Sequence, residues 1–223
     1  MQFRHELKYE INAIDAVAVR ARLKAVCKPD ANSKDGKYFI RSLYFDSPSD
    51  KALREKLDGV RDREKFRIRY YNGDTSFIRL EKKIKRGSFG YKLSAVLSAD
   101  EAAALARGDF EWAKNAGRPL LNDLYTAMRN GGFRAKTVVD YTREAFVFEA
   151  GNTRVTLDYN IRTGLSSTDF LNPRCPTVPI KDNTVIMEVK WDNYLPSIIK
   201  DLVRIDNRRQ GAFSKYAACR AYD

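Results

Sequence analysis

The sequence predicts an α+β protein in which an antiparallel sheet closes into a barrel around a tunnel, with helices packed outside. Two observations lead there. Five strand-like stretches carry Arg, Lys or Glu at alternate positions, and several amphipathic segments need an apolar sheet face to cover. Alternate residues of a strand share one face of the sheet. If the helices cover the apolar face from outside, the charges point inward. A single charged strand face is ordinarily just solvated, but five of them argue for an interior. A ring of guanidinium and ammonium groups around a tunnel is untenable without water or a polyanion inside. An occupant rich in phosphate resolves it.

The charged stretches are Phe66-Arg67-Ile68-Arg69-Tyr70, Ile78 to Lys83 with Arg79, Glu81 and Lys83 on one face, Tyr141-Thr142-Arg143, Arg154 to Asp158 with Arg154, Thr156 and Asp158 on one face, and Val185 to Lys190 with Glu188 and Lys190. Along the chain, Phe3 to Ile11 reads as a first strand. Asn12 or Asp15 caps a helix through about Val26, with Ile14, Val17, Ala18, Ala21 and Val26 as its apolar stripe. Lys28-Pro29-Asp30 ends it. Tyr38 to Phe45 is the next strand, and Asp46-Ser47-Pro48 opens a short helix through Leu53 and Leu57 that turns at Asp58-Gly59. Asn72-Gly73-Asp74 joins strands Lys65 to Tyr71 and Ser76 to Ile84 as a hairpin, because Asn and Gly accept the positive φ of a tight turn. Gly87-Ser88-Phe89-Gly90 reads as another turn and Tyr91 to Leu97 as a strand. Helices follow at Asp100 to Ala106 and Leu120 to Met128, the second closed by Asn130-Gly131-Gly132. Strands 137–148 and 153–159 pair around Gly151-Asn152. Residues 163–183 hold three of the seven prolines and read as a long surface loop, and strand 184–191 closes the sheet. Pro196 opens a helix through about Ile205, and Ser214 to Tyr222 is the last helix.

At 223 residues with 43% hydrophobic and 12% aromatic side chains, the chain can bury a full core as one domain, residues 1–223. Its 41 Lys and Arg against 29 Asp and Glu give a net charge of +12, which points to an anionic partner: nucleic acid, a membrane surface or a phosphorylated molecule. The three cysteines, Cys27, Cys175 and Cys219, have neither a disulfide framework nor metal-ligand spacing, which suits a reducing cytoplasm. No apolar run approaches the roughly 20 residues of a membrane helix, so no intrinsic membrane segment is expected.

His5 is the only histidine, which excludes a histidine-based triad or a histidine metal cage and suggests a structural role. GxxxxGK[ST] and GxGxxG are both missing, so phosphate binding must come from side chains. Phe66, Tyr70 and Tyr71 could stack nucleic-acid bases, but they alternate with the arginines and are expected to face away from them, which favours a phosphate chain over bases. Nucleic acid is not expected as a partner. Glu81-x-Lys83 and Glu188-x-Lys190 could be ordinary surface ion pairs. On an inward face each supplies a carboxylate for a divalent metal beside an ammonium for phosphate.

The ordered set Glu6-Leu7-Lys8-Tyr9, Arg67-Ile68-Arg69, Glu81-Lys82-Lys83, Tyr141 to Phe146, Arg154 to Asp158, Glu188-Val189-Lys190 and Phe213-Ser214-Lys215-Tyr216 resembles the VTC-domain polyphosphate polymerases, a branch of the CYTH-like triphosphate tunnel metalloenzymes. The resemblance spans nearly the whole chain. It implies a barrel of about eight strands whose tunnel holds nucleotide phosphates and threads a growing polyphosphate. It also implies that Arg67, Arg69, Lys83, Arg143, Arg154 and Lys215 form the catalytic set, and that Lys8, Lys92, Tyr141, Lys190 and Ser214 bind phosphate. Glu188 would hold Mn²⁺ or Mg²⁺, with Glu6 and Glu81 as further acidic candidates. Substrates would be ATP and inorganic polyphosphate, and the reaction transfer of the γ-phosphoryl group onto the chain with release of ADP. The wider superfamily has two glutamates before the N-terminal lysine where this chain has Arg4-His5-Glu6-Leu7-Lys8, which tilts the expectation from hydrolysis toward transfer. The alternatives are a metal-dependent tripolyphosphatase or nucleoside triphosphatase of the same superfamily, and a non-catalytic polyphosphate-binding module. The sequence names no membrane-protein partner.

Overall fold

The computed structural model describes residues 4–33, 35–87, 89–181 and 183–222. The expected strand start at Phe3, the Ser88 position of the glycine turn and Asp182 of the 163–183 segment lie outside them. The strands are β1 (His5–Asn12), β2 (Lys28–Pro29), β3 (Lys37–Asp46), β4 (Arg63–Tyr71), β5 (Asp74–Arg86), β6 (Phe89–Leu97), β7 (Arg134–Phe148), β8 (Thr153–Thr163), β9 (Val178–Pro179) and β10 (Thr184–Trp191). The helices are α1 (Ala13–Val26), α2 (Lys51–Leu57), α3 (Ala99–Arg107), α4 (Pro119–Gly131), α5 (Ser197–Leu202) and α6 (Lys215–Arg220), with short 3₁₀ turns at Glu111–Asn115 and Ala150–Asn152. The main hydrogen-bonded ladder runs β1-β10-β8-β7-β3-β4-β5-β6, with β2 on β7 and β9 on β8.

This α+β ladder is open, which corrects the expected closed barrel and the expectation that strand 184–191 closes the sheet. β10 sits between β1 and β8, and no β1–β6 pairing occurs among the described residues. The outer edge of β1 is partly taken by the approach to α6: Tyr9 bridges to Gln210, and the Gly211 amide donates to the Lys8 carbonyl at 2.9 Å. An edge carbonyl satisfied this way needs no strand partner.

The chain divides into two compact units, one built from the chain up to Phe39 with Tyr141–Ile161 and Lys181–Phe213, the other from Ile40–Asp140, Arg162–Ile180 and Ser214 onward. In the first, Ala16, Val19 and Leu23 of α1 and Ile199 of α5 cover Ile11, Val155, Leu157, Val185, Met187 and Val189 of β1, β8 and β10. Helix α1 begins in a reciprocal capping box, Asn12 receiving the Asp15 amide at 2.8 Å and Asp15 the Asn12 amide at 3.2 Å. Its expected apolar stripe is corrected: Ile14 is 81% and Val17 61% exposed, Ala18 and Ala21 are exposed too, and the buried face is 16/19/23. Small and apolar residues occupy two faces of α1, and the sheet receives the one carrying Val19 and Leu23.

In the second unit, Ala102 and Leu105 of α3 and Leu120, Leu121, Leu124 and Met128 of α4 pack over Phe66, Ile68, Tyr70, Ile78 and Leu80 of β4 and β5. Ser98 and Glu101 cap α3 reciprocally, and Gly132, at φ 65°, ends α4. Arg41 and Asp140 form a buried two-bond pair at 2.9 and 2.8 Å. The 163–183 segment is not simply a surface loop, because Phe170, Cys175 and Ile180 are buried and Tyr70 donates to the Phe170 carbonyl at 3.1 Å. The helix after Pro196 stops at Leu202, short of Ile205.

Two glycines of left-handed φ give a testable contrast. At Gly73 (φ 75°) a Cβ meets open space, whereas at Gly151 (φ 65°) it would lie 2.2 Å from the Tyr194 carbonyl oxygen. Gly73→Ala is expected to cost about 1 kcal/mol from backbone strain alone. Gly151→Ala should cost clearly more, read as a larger drop in urea midpoint; equal costs would mean that the Tyr194 contact is not rigid.

Candidate phosphate-binding site

Each unit carries a charged sheet face opposite its helix-covered face. In the second unit the face belongs to β4, β5 and β6. Pairing sets Lys65 opposite Lys83, Arg67 opposite Glu81, Arg69 opposite Arg79 and Lys83 opposite Lys92. Like charges directly across a ladder are destabilising, so this run of cations is not what stability alone would select. Glu81, 1% exposed, lies among them. Its Oε2 receives Arg67 Nε at 2.8 Å, with Arg67 Nη2 at 2.7 Å and Arg69 Nε at 3.4 Å, and its Oε1 receives Lys92 Nζ at 2.7 Å. Burial works to raise the Glu81 pKa, but Arg67, Arg69 and Lys92 outweigh it and hold the carboxyl well below the usual range.

Tyrosines complete the positioning. Arg67 Nη1 donates to the Tyr44 hydroxyl at 3.0 Å, and Arg69 Nη1 to the Tyr71 hydroxyl at 3.2 Å. Tyr71 thus stands on the arginine face, which corrects the expectation that it faces away: it lies two residues beyond Arg69, so alternation itself places it there. Phe66 and Tyr70 do face the core. Lys65 Nζ lies 5.5 Å from the Tyr44 ring centroid and 3.5 Å from Ser214 Oγ. Ser214 is the N-cap of α6, its Oγ accepting the Ala217 amide at 3.4 Å, and Lys215 is the first helical residue. That turn is anchored by Tyr216, which stacks on Tyr44 at 4.9 Å and donates to the buried Asp46 carboxylate at 2.8 Å. Asp46 also accepts the Ser47, Ala52 and Leu53 amides, fixing the entry to α2.

In the first unit the charged face is made by β1, β10, β8 and β7, and its signs alternate. Glu6 pairs across to Lys190, Lys8 to Glu188 and Lys190 to Arg154. Lys8 Nζ lies 2.6 Å from Glu6 and 3.3 Å from Glu188, and Lys190 Nζ lies 3.1 Å from Glu188 and 3.7 Å from Glu6. Arg143 donates to both oxygens of Asp158, 0% exposed, at 2.6 and 2.7 Å, and its Nη2 reaches to 3.8 Å from Glu188. The Arg143 guanidinium also sits 5.5 Å from the Tyr141 ring. Arg154 pairs with Asp30 at 2.6 Å and donates to Tyr38. Burial alone would lower the Lys8 and Arg143 pKa values, but Glu188 and Glu6 for Lys8, and Asp158 above all for Arg143, push both upward.

Thus Arg67, Arg69, Glu81, Lys83, Lys92, Ser214 and Lys215 belong to one unit, and Glu6, Lys8, Tyr141, Arg143, Arg154, Glu188 and Lys190 to the other. Sequence reasoning missed Lys65, two residues before Arg67 on the same face, although the alternation that singled out Arg67 and Arg69 extends to it. It also missed Tyr44, Tyr71 and Asp30, whose roles depend on long-range pairing. His5 stacks on Trp191 at 5.3 Å, in line with a structural role.

As a metal site, the Glu188 surroundings have a definite limit. Among the described residues no group of three or more His, Cys, Asp or Glu side chains is placed to hold an ion. Glu188 and Glu6 share Lys8 and Lys190, so the donor set does not suit an all-protein cage. It does suit Mg²⁺ or Mn²⁺ held by one or two carboxylates together with substrate phosphates.

Two solved structures are similar to this one in fold. The Hippeastrum protein HpAC1, an adenylyl cyclase candidate with a dominant triphosphatase activity, matches at 14% identity over 100% of this chain and 96% of that one, with a TM-score of 0.58. A Bacillus halodurans protein named as an adenylate cyclase candidate matches at 11% identity over 91% of this chain and 85% of that one, with a TM-score of 0.52. No curated protein sequence matches. The family model described as VTC domain matches residues 3–222, and the chain belongs to the VTC domain family.

Because folding depresses the Glu81 pKa, its ionised form contributes stability that is complete above the ordinary carboxylate value of 4.5 and is lost as pH falls through the lower folded value. Urea unfolding of wild type and Glu81→Gln should show a gap of about 3–5 kcal/mol near neutral pH, since removing one partner leaves buried cations uncompensated. The gap should narrow below about pH 4.5. A pH-independent gap would refute the ionic origin of the effect.

Proposed function

We propose that the protein is a polyphosphate polymerase, which transfers the γ-phosphoryl group of ATP to the terminal phosphate of an inorganic polyphosphate chain. The observation that carries this reading is the β4–β5–β6 face, where Lys65, Arg67, Arg69, Lys83 and Lys92 gather around the buried carboxylate Glu81 on a partly buried surface. Such a face wants several negative charges in a row, which a phosphate chain supplies and a single carboxylate ligand does not. Membership of the VTC domain family supports the same substrate class.

A terminal oxygen of the polyphosphate forms the new bond to the γ-phosphorus, and the bond from that phosphorus to the β–γ bridging oxygen breaks. ADP leaves with the electron pair. No protein nucleophile is required, because a loose transition state asks mainly for alignment and charge neutralisation. Arg67 and Arg69, oriented by Glu81, Tyr44 and Tyr71, would hold phosphate oxygens with fixed forks, while Lys83, Lys92 and Lys215 contribute point charges and Ser214 a hydroxyl. On the charged face of the other unit, Arg143, oriented by Asp158, and Arg154, Lys8, Lys190 and Tyr141 would bind phosphate. Glu188, with Glu6 beside it, would hold Mn²⁺ or Mg²⁺, which would supply positive charge to stabilise the transferring phosphoryl group.

A second reading, a metal-dependent triphosphatase, has the fold likeness to HpAC1 and that protein's dominant activity in its favour. Product identity separates the two. Purified protein given ATP, Mn²⁺ and a short polyphosphate primer is expected to lengthen the primer with ADP formed and little free phosphate. Glu188→Ala should lower turnover by about 10²-fold or more. Free phosphate appearing in step with ADP would replace the polymerase by the hydrolase, and no metal-dependent product would leave a polyphosphate-binding module.

A further inference from the structure

We propose that Glu81 is a positioning residue: it stands in for a phosphate in the ligand-free protein, holding Arg67, Arg69 and Lys92 in place, and yields Lys92 to a phosphate chain when one binds. The inference rests on the phosphate-chain reading above and deepens it. It assigns Glu81 a role other than metal ligation.

Both carboxylate oxygens are committed to cations, Oε2 to Arg67 and Arg69 and Oε1 to Lys92, all within 3.4 Å. Arg67 and Lys92 lie 2.7 Å from Glu81, closer than Lys190 and Lys8 at 3.1 and 3.3 Å from Glu188, so a divalent cation would displace tighter pairs at Glu81 than at Glu188. The cations themselves differ. Arg67 is held from the other side by the Tyr44 hydroxyl and Arg69 by the Tyr71 hydroxyl. Lys92, whose side chain is 46% exposed, stands on β6 at the end of a flexible stem. Lys92 is therefore the contact that an arriving anion can take with least disturbance.

A carboxylate and a phosphate that bind the same cations compete. Removing the carboxylate destabilises the free protein, where buried arginines lose their counter-charge, but not the bound form, where phosphates supply it. The two effects have opposite signs. Glu81→Gln should be less stable alone and yet bind a phosphate chain more tightly. A purely structural role would lower stability and leave affinity unchanged or weaker.

The experiment is calorimetric titration of wild type and Glu81→Gln with inorganic tripolyphosphate, with thermal unfolding of each in its presence and absence. The expected result is at least about threefold tighter binding by Glu81→Gln, with a larger ligand-induced rise in melting temperature. Unchanged or weaker affinity in a folded Glu81→Gln overturns the proposal, as does a wild type that does not bind tripolyphosphate. Should Glu81→Gln fail to fold, a structure of the wild type with tripolyphosphate decides: Lys92 Nζ on a phosphate oxygen supports the proposal, and Lys92 still on Glu81 overturns it. Tighter binding by Glu81→Gln in a protein that never elongates a primer would remove the polymerase reading and leave the role of Glu81 standing.

Discussion

The ion pairs around Glu81 are the constraint on which the rest of the second unit depends. A β-sheet has two faces, and here both are withdrawn from water: one lies under α3 and α4, and the other carries Arg69 and Glu81, each with little exposure. Charged groups tolerate this only when they compensate one another, because desolvating an isolated ion costs several kcal/mol. Glu81 supplies that compensation for three cations at once. The hydroxyls of Tyr44 and Tyr71 satisfy further guanidinium donors, and Tyr44 passes the order on to Tyr216 and the turn that carries Ser214 and Lys215. A packing argument about a sheet face thus becomes an argument about where cations are held.

The two charged faces solve the same problem differently. On the first unit, Lys8, Arg143, Arg154 and Lys190 meet Glu6, Asp30, Asp158 and Glu188, a balanced set in which every cation has a carboxylate within 3.3 Å. On the second, Arg67, Arg69 and Lys92 share Glu81. The balanced face compensates its own cations.

Much of this was legible from alternation. A period of two assigns Arg67, Arg69, Glu81, Glu188 and Lys190 to a face irrespective of what lies across from them, because the geometry of one strand decides it. The same rule puts Tyr71, two residues beyond Arg69, with the arginines and not with Phe66 and Tyr70. Periodicity could not choose between the faces of α1, since Ile14 and Val17 make as good a stripe as Val19 and Leu23 until a sheet takes one of them. The helix caps were read well: Asn12, Asp15 and Gly132 act within a few residues of themselves.

The sequence by itself determined the local elements, the charge of each strand face, the membership of the VTC domain family and the type of site residue, because all of these depend on neighbours in the chain or on residue identity. Tertiary structure alone decided which cations share which carboxylate. Arg67 reaches Glu81 across a hairpin, Arg143 is locked by Asp158, Arg154 by Asp30, and Lys65 meets Ser214 from far along the chain. It also decided that the ladder stays open at β1, where the chain before α6 takes up edge hydrogen bonds. These are long-range pairings, and a strand's own residues set which way a side chain points without setting what it finds there.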